Sequence, residues 1–210
     1  MSSIEHIVFD LGGVLLDIDH KLTAAAFDAI TGKTGPEGFI KQYSFAGQST
    51  LYTEYEQGLI SSEVFRDGIQ KELGTKIPQD KFDVAWSTIL KTMPKERMDL
   101  VERLKKKYKV SLLSNTNEIH VSALDKYFQK TYGVARLSAI FHNTYLSNVL
   151  KMRKPNADIY EFVLKDSGVP APKTLFIDDS KPNVDGAAKL GINTIHLSGI
   201  SVVDALKDFE

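Results

Sequence analysis

The chain of 210 residues is long enough to bury a sizeable interior as one large domain, or as a core with a smaller insertion. Hydrophobic residues at 42% and charged residues at 25% exclude a disordered or collagen-like chain, and the lack of cysteine excludes disulfides, thiolate metal sites and a cysteine nucleophile. With 26 Lys+Arg against 27 Asp+Glu the net charge is −1, which gives no footprint for nucleic acid or a membrane surface and leaves a small molecule as the expected partner.

The first apolar run, Ile7 to Ile18, is broken by Asp10 and Asp17 and lacks a basic leader. It reads as neither signal peptide nor membrane span, so a cytoplasmic location is expected. Ile7-Val8-Phe9 instead form a central strand ending at Asp10, followed by Gly12-Gly13, a turn that needs permissive backbone. From His20 to Thr92 helical patterns are punctuated by Gly32, Gly35, Gly47, Gly58, Gly74 and Pro78, with no convincing strand. The plainest of these helices starts at Ser61 or Ser62, runs through Val64, Phe65 and Ile69 to Leu73, and stops at Gly74.

From Pro94 the pattern alternates helix and strand. A basic helix reaches Tyr108, strand Val110 to Leu113 follows, then a less regular helical stretch and a strand at Ala139 to Phe141. A helix from Asn156 to Ser167, strand Thr174 to Ile177, a helix from Ser180 to Leu190, strand Asn193 to His196 and a short helix complete the chain. Strands spaced by helices predict right-handed crossovers and a parallel sheet covered on both faces. The expected architecture is therefore α/β, with a core of residues 1–19 and 93–210 and a helical insert at 20–92.

Ligands on such a sheet bind beyond the carboxyl ends of the strands, so the polar residues that follow each apolar run are the candidates. They are Asp10, Ser114-Asn115 and Asp178-Asp179, with Lys154 before Pro155. Carboxylates on neighbouring strands suit a hard divalent cation such as Mg²⁺, and a lysine, a serine hydroxyl and the backbone amide at Asn115 suit the oxygens of a phosphoryl group. An aspartate beside the metal can attack phosphorus and form an acyl phosphate, and Asp10 is the expected nucleophile.

The segments FDLGGVL at 9–15, LLSNTN at 112–117, MRKP at 152–155 and FIDDS at 176–180 resemble, in this order, the haloacid dehalogenase superfamily. The nearest likeness is to its sugar-phosphate branch, typified by α-D-glucose-1-phosphate phosphatases. The resemblance implies a Rossmann-like core with a helical cap inserted after the first strand. It also implies Mg²⁺-dependent hydrolysis of a small phosphorylated metabolite, with Asp10 as nucleophile and metal ligand, Ser114, Asn115 and Lys154 on the phosphate, and Asp179, helped by Asp178, completing the metal site. Most relatives carry a second aspartate two residues after the nucleophile, where this chain has Gly12; its carbonyl can still ligate the metal, but no side chain is left to move a proton. Asp17, Asp19 and Glu54 are the candidates to supply it, unless the substrate leaves unaided, as an anomeric oxygen does more readily than a primary alkoxide. A 2-haloacid dehalogenase, or a binding protein with decayed catalysis, are the alternatives.

The remaining features read plainly. Phe45, Tyr52 and Trp86 suit either a helical core or contact with a sugar face. The five histidines share no metal-ligand spacing and read as incidental, Arg153 as a solvated charge, and Lys105-Lys106-Lys107 as cations at a helix C-terminus.

Overall fold

The computed structural model describes residues 4–33, 39 and 50–209. Five strands, β1 (His6–Phe9), β2 (Lys109–Ser114), β3 (Asn143–Leu146), β4 (Thr174–Asp178) and β5 (Asn193–His196), form one sheet in the order β3-β2-β1-β4-β5. Every pairing is parallel, as in Phe9 opposite both Leu112 and Ile177. The carboxyl ends of β1, β2 and β4 therefore lie side by side.

Alternation along the strands supplies two cores. Ile7, Phe9, Leu112 and Ile177 pack on one face with Leu100, Val101 and Leu104 of α5 (Lys95–Leu104) and Leu124 and Phe128 of α6 (Glu118–Tyr132). Val8, Leu113 and Phe176 pack on the other with Ile159, Tyr160 and Val163 of α8 (Ala157–Ser167) and Ala187 of α9 (Lys181–Ala188). β1 is buried on both faces, which suits the apolar run Ile7-Val8-Phe9, while His6 at its start is buried with its Nε2 2.8 Å from the Ser111 hydroxyl.

Four helices lie between β1 and α5 among the described residues of 20–92: α1 (His20–Thr31), α2 (Thr50–Glu56), α3 (Ser62–Leu73) and α4 (Gln79–Ser87). Helix α3 has the boundaries its sequence predicts. The Ser61 hydroxyl accepts the Val64 N–H, and Gly74 closes the helix in the left-handed region at φ 61°. Phe27, Phe65, Ile69, Phe82 and Trp86 form an apolar cluster that Ile119 of α6 joins from the core. The chain enters and leaves this insert as a short antiparallel ribbon, with Asp17 N–H donated to Thr92 O and Lys91 N–H to Asp17 O, both at 2.9 Å.

One strand is displaced from its expected place. Ala139 ends a 3-10 turn (Leu137–Ala139), Ile140 and Phe141 follow it, and β3 begins at Asn143. Ile140 and Phe141 are buried in the first core rather than paired in the sheet, so their apolar run reflects packing. A four-residue helix, α7 (Ser147–Leu150), follows β3 and ends at Lys151, whose φ of 58° is a left-handed conformation that glycine adopts without strain. Past β5 the chain ends in α10 (Val202–Ala205) and a last 3-10 turn. No helix among the described residues is long and apolar enough to cross a membrane.

Candidate active site

Asp10 leaves β1 with its backbone N–H donated to Ile177 O at 2.9 Å, which ties this strand end to β4. Its Oδ1 lies 2.7 Å from the Lys154 ammonium, which also reaches Asp178 Oδ2 at 2.6 Å. The side chain of Lys154 is 1% exposed and that of Asp178 fully buried, so this cation keeps its charge out of water by standing between two carboxylates. Asp178 is fixed in turn by the Ser180 N–H at 2.8 Å and by the Asn183 amide, 3.1 Å from each of its oxygens.

The electrostatics follow from this arrangement. Burial, reinforced by the charge of Asp178 and opposed by Lys154, pushes the Asp10 carboxyl up to about 6. Burial works against the Lys154 ammonium, but Asp10 and Asp178 outweigh it and hold its pKa above the ordinary lysine value. Asp179, nearer the surface, is raised by burial and by Asp178 beside it. Asp10, Asp178 and Asp179 each offer an oxygen within 4.8 Å of the others. Three carboxylates around one point, with a single ammonium between two of them, are a donor set that a hard divalent cation fits and further offsets.

Gly13 shows how closely the turn after β1 approaches this cluster. Its φ is +77°, and a Cβ there would stand 2.1 Å from Asp179 Oδ2. The turn itself is held by Leu15 and Leu16 N–H groups donating to Leu11 O, at 2.9 and 2.8 Å.

Ser114 is buried at the end of β2, where among the described residues its hydroxyl makes only a long 3.4 Å contact to Asn115 O. The Asn115 side chain has a different task. It donates to Lys154 O and accepts the Lys154 N–H, both at 3.0 Å, so it tethers the loop that carries the lysine. A cavity of about 160 Å³ opens beside Gly12, Ser114 and Asn115, walled by Leu16, Ile18, Leu90, Tyr52 and Trp86. A larger groove of about 700 Å³ between α4 and α6 contains none of the strand-end residues.

The other expected residues are placed as follows. Gly12, Tyr52 and Trp86 line the cavity. The Asp17 carboxylate pairs with Arg97 at 2.8 Å, and the Asp19 carboxylate caps α1 by accepting the Lys21 N–H at 3.0 Å, so both already hold structural partners. Glu54 is half-buried on α2 and is not a wall of the cavity, whereas Glu56 is. Phe45 lies outside the described residues.

Four residues read as incidental or passed over in the sequence belong to this region. His20 and His120 line the cavity with Asn117. Arg153 is no simple solvated charge, since it pairs with Glu56 of the insert at 2.8 Å. The available signal was position: Asn117 and His120 open the helix that follows the β2 end, and Arg153 precedes Lys154.

The profile of the haloacid dehalogenase-like hydrolases matches residues 4–191. The D-ribitol-5-phosphate phosphatase of Bacteroides thetaiotaomicron is 31% identical over 191 residues, 91% of this chain and 90% of that protein. A haloacid dehalogenase family enzyme of the same organism, crystallised with magnesium and inorganic phosphate, superposes with a TM-score of 0.83 at 33% identity, covering 97% of this chain and 99% of that one. A predicted haloacid dehalogenase-like hydrolase of Porphyromonas gingivalis gives a TM-score of 0.87 at 29% identity, covering 99% and 98%.

Proposed function

The chain belongs to the haloacid dehalogenase-like hydrolases, and from that premise we propose that it is a Mg²⁺-dependent phosphatase of small phosphorylated sugars, hexose 1-phosphates foremost. The observation that carries this reading is the Lys154 ammonium held between Asp10 and Asp178, with Asp179 alongside, at the ends of β1 and β4. Asp10, Asp179 and Asp178, with the Gly12 carbonyl, would hold the Mg²⁺. When bound, this ion supplies Lewis-acid polarisation of phosphoryl oxygens and offsets their charge. Lys154 and Ser114 bind the remaining oxygens. An Asp10 carboxylate oxygen then attacks phosphorus, the P–O bond to the sugar breaks with its electron pair on the sugar oxygen, and water later cleaves the aspartyl phosphate.

The preference for a 1-phosphate rests on residue 12. Gly12 has no group to protonate the departing oxygen, and Ile18 methyl groups stand 3.3 and 3.4 Å from where its Cβ would lie. A leaving group of low basicity, such as an anomeric oxygen, needs that proton least. In this reading the helices of 20–92 form a cap over a core of 1–19 and 93–210, and the protein works in the cytoplasm.

A panel of hexose 1-phosphates, hexose 6-phosphates, ribitol 5-phosphate and nucleoside monophosphates, each run with Mg²⁺ and with chelator, tests the proposal. Metal-dependent phosphate release, fastest from the 1-phosphates and abolished in Asp10→Asn, is expected. If no sugar or polyol phosphate is hydrolysed in a metal-dependent way, the reading is wrong. Dehalogenation of a 2-haloacid needs no metal, and the carboxylate trio gives it no advantage.

A further inference from the structure

Asn117, His120 and Trp86 close a ring of hydrogen bonds between the core helix α6 and the insert helix α4. The Trp86 indole N–H donates to Asn117 Oδ1 at 3.3 Å, and Asn117 Nδ2 donates to His120 Nδ1 at 3.1 Å. His120 Nε2–H donates to the Trp86 carbonyl at 3.1 Å. The direction of each bond is fixed by chemistry. Asn117 Oδ1 receives two groups that can only donate, the indole and the His120 backbone N–H at 3.1 Å, and the Trp86 carbonyl can only accept. His120 is thereby held as the Nε2–H tautomer, its ring parallel to the indole within 14° at 5.3 Å between centroids. Burial pushes its pKa down to about 4, which keeps Nδ1 an acceptor at neutral pH.

Trp86, 5% exposed and packed on His120, Phe65 and Tyr52, is also among the residues that line the cavity adjoining Gly12 and Ser114. Its lining also includes Leu16, Ile18 and Leu90, whose side chains offer no hydrogen bond, and the polar groups of His20, Tyr52 and Glu56. The phosphoryl end of a substrate is met by Lys154 and Ser114 through charge and hydrogen bonding, so this cavity is left for the carbon skeleton of the leaving group. Carbon-bound hydrogens of a sugar carry the apolar surface that packs on an aromatic face.

We propose that Trp86 is a specificity-determining residue for the sugar moiety, and that Asn117 and His120 are positioning residues that fix its indole against the substrate. The assignment rests on the phosphatase reading above. It places substrate selection in one contact between the insert and the core, and it separates recognition of the sugar from recognition of the phosphoryl group.

The test compares the KM for glucose 1-phosphate with the inhibition constant of inorganic phosphate in the Mg²⁺-loaded enzyme. Trp86→Phe, Asn117→Ser and His120→Leu should each raise the KM by about tenfold, the scale on which an apolar contact discriminates ligands, while phosphate inhibition moves less than about twofold. His120→Gln, which keeps an N–H for the Trp86 carbonyl, should stay near wild type, and the Trp86→Phe/His120→Leu double variant should be no worse than the worse single. Trp86 is the only tryptophan, so its emission should shift in His120→Leu but not in His120→Gln. If the variants leave KM unchanged, or move KM and phosphate inhibition by the same factor, the assignment falls although the phosphatase reading stands. If the wild-type enzyme releases phosphate from no sugar phosphate, both fall together.

Discussion

Replacing Lys154 with methionine tests the electrostatic core of the site without touching a carboxylate. Methionine matches the length of the lysine stem but brings no charge, leaving Asp10 and Asp178 facing each other in a dry place. Breaking a buried ion pair from one side costs roughly 3–5 kcal/mol. For a chain of this size each kcal/mol lowers Tm by about 2–4 °C, so a drop of about 6–20 °C is expected in chelator near pH 8. The penalty has an escape route, because Asp10 is already raised to about 6 with the ammonium present and rises further without it. A carboxyl whose folded-state pKa lies above its unfolded value binds more protons when folded, so folding gains stability as pH falls through that pKa. The gap in Tm between variant and wild type should therefore shrink on going from about pH 8 to about pH 5.5. Added Mg²⁺ should narrow it too, by binding the folded state. Thermal unfolding of both proteins at the two pH values, with chelator and with Mg²⁺, supplies the comparison. A gap that stays within about 2 °C at high pH, or widens on acidification, would show that the ammonium does not compensate these carboxylates.

Other perturbations probe separate parts of the structure. Gly13→Ala should weaken Mg²⁺ binding, measured by calorimetry, by about tenfold or more, since its Cβ would lie 2.1 Å from Asp179 Oδ2 and its φ of +77° adds about 1 kcal/mol of strain; unchanged affinity would detach Asp179 from the metal site. His6 is buried, and burial together with Lys109 and His142 holds it down to about 4. The unfolded chain takes up that proton first, so stability in urea should be full above about pH 6.5 and fall toward pH 4 by on the order of 3 kcal/mol from this residue, and the His6→Gln curve should be flatter in that window. Gly12→Asp alone should help little, because Ile18 crowds the new Cβ at 3.3 Å, whereas Gly12→Asp with Ile18→Ala should accelerate sugar 6-phosphates more than 1-phosphates. Equal effects on both substrate classes would mean that leaving-group protonation is not what residue 12 governs.

The centre of the sheet was legible because β1, β2 and β4 are buried on both faces, which favours apolar runs, and because the residue that ends each run is obliged to stand at one edge. Asp10, Ser114 and Asp178 follow from that rule alone. It misplaced the third strand because Ile140 and Phe141 meet the same demand by packing into the core from a loop, and periodicity over three residues does not tell the two apart. The expectation for Asn115 concerned its backbone amide, and the task of its side chain was hidden for another reason. A polar side chain at a strand end can face the ligand or brace a neighbour, and only the reciprocal bonds to Lys154, 39 residues away, show that it braces.

The contacts between insert and core were least legible, since each joins residues far apart in sequence and none has a spacing to betray it. Arg153 with Glu56 and His120 with Trp86 look like ordinary residues of separate helices and loops until the fold brings them together. Their placement follows a physical logic nonetheless. Under the proposed function the strand-end groups act on the phosphoryl oxygens and are specified by chemistry, so a short motif suffices for each. Under the same proposal the insert contacts would decide which carbon skeleton fits beside them, a matter of shape, and shape is set by pairs drawn from distant segments. On that reading the chemistry of this chain is written in local motifs and its selectivity in tertiary contacts.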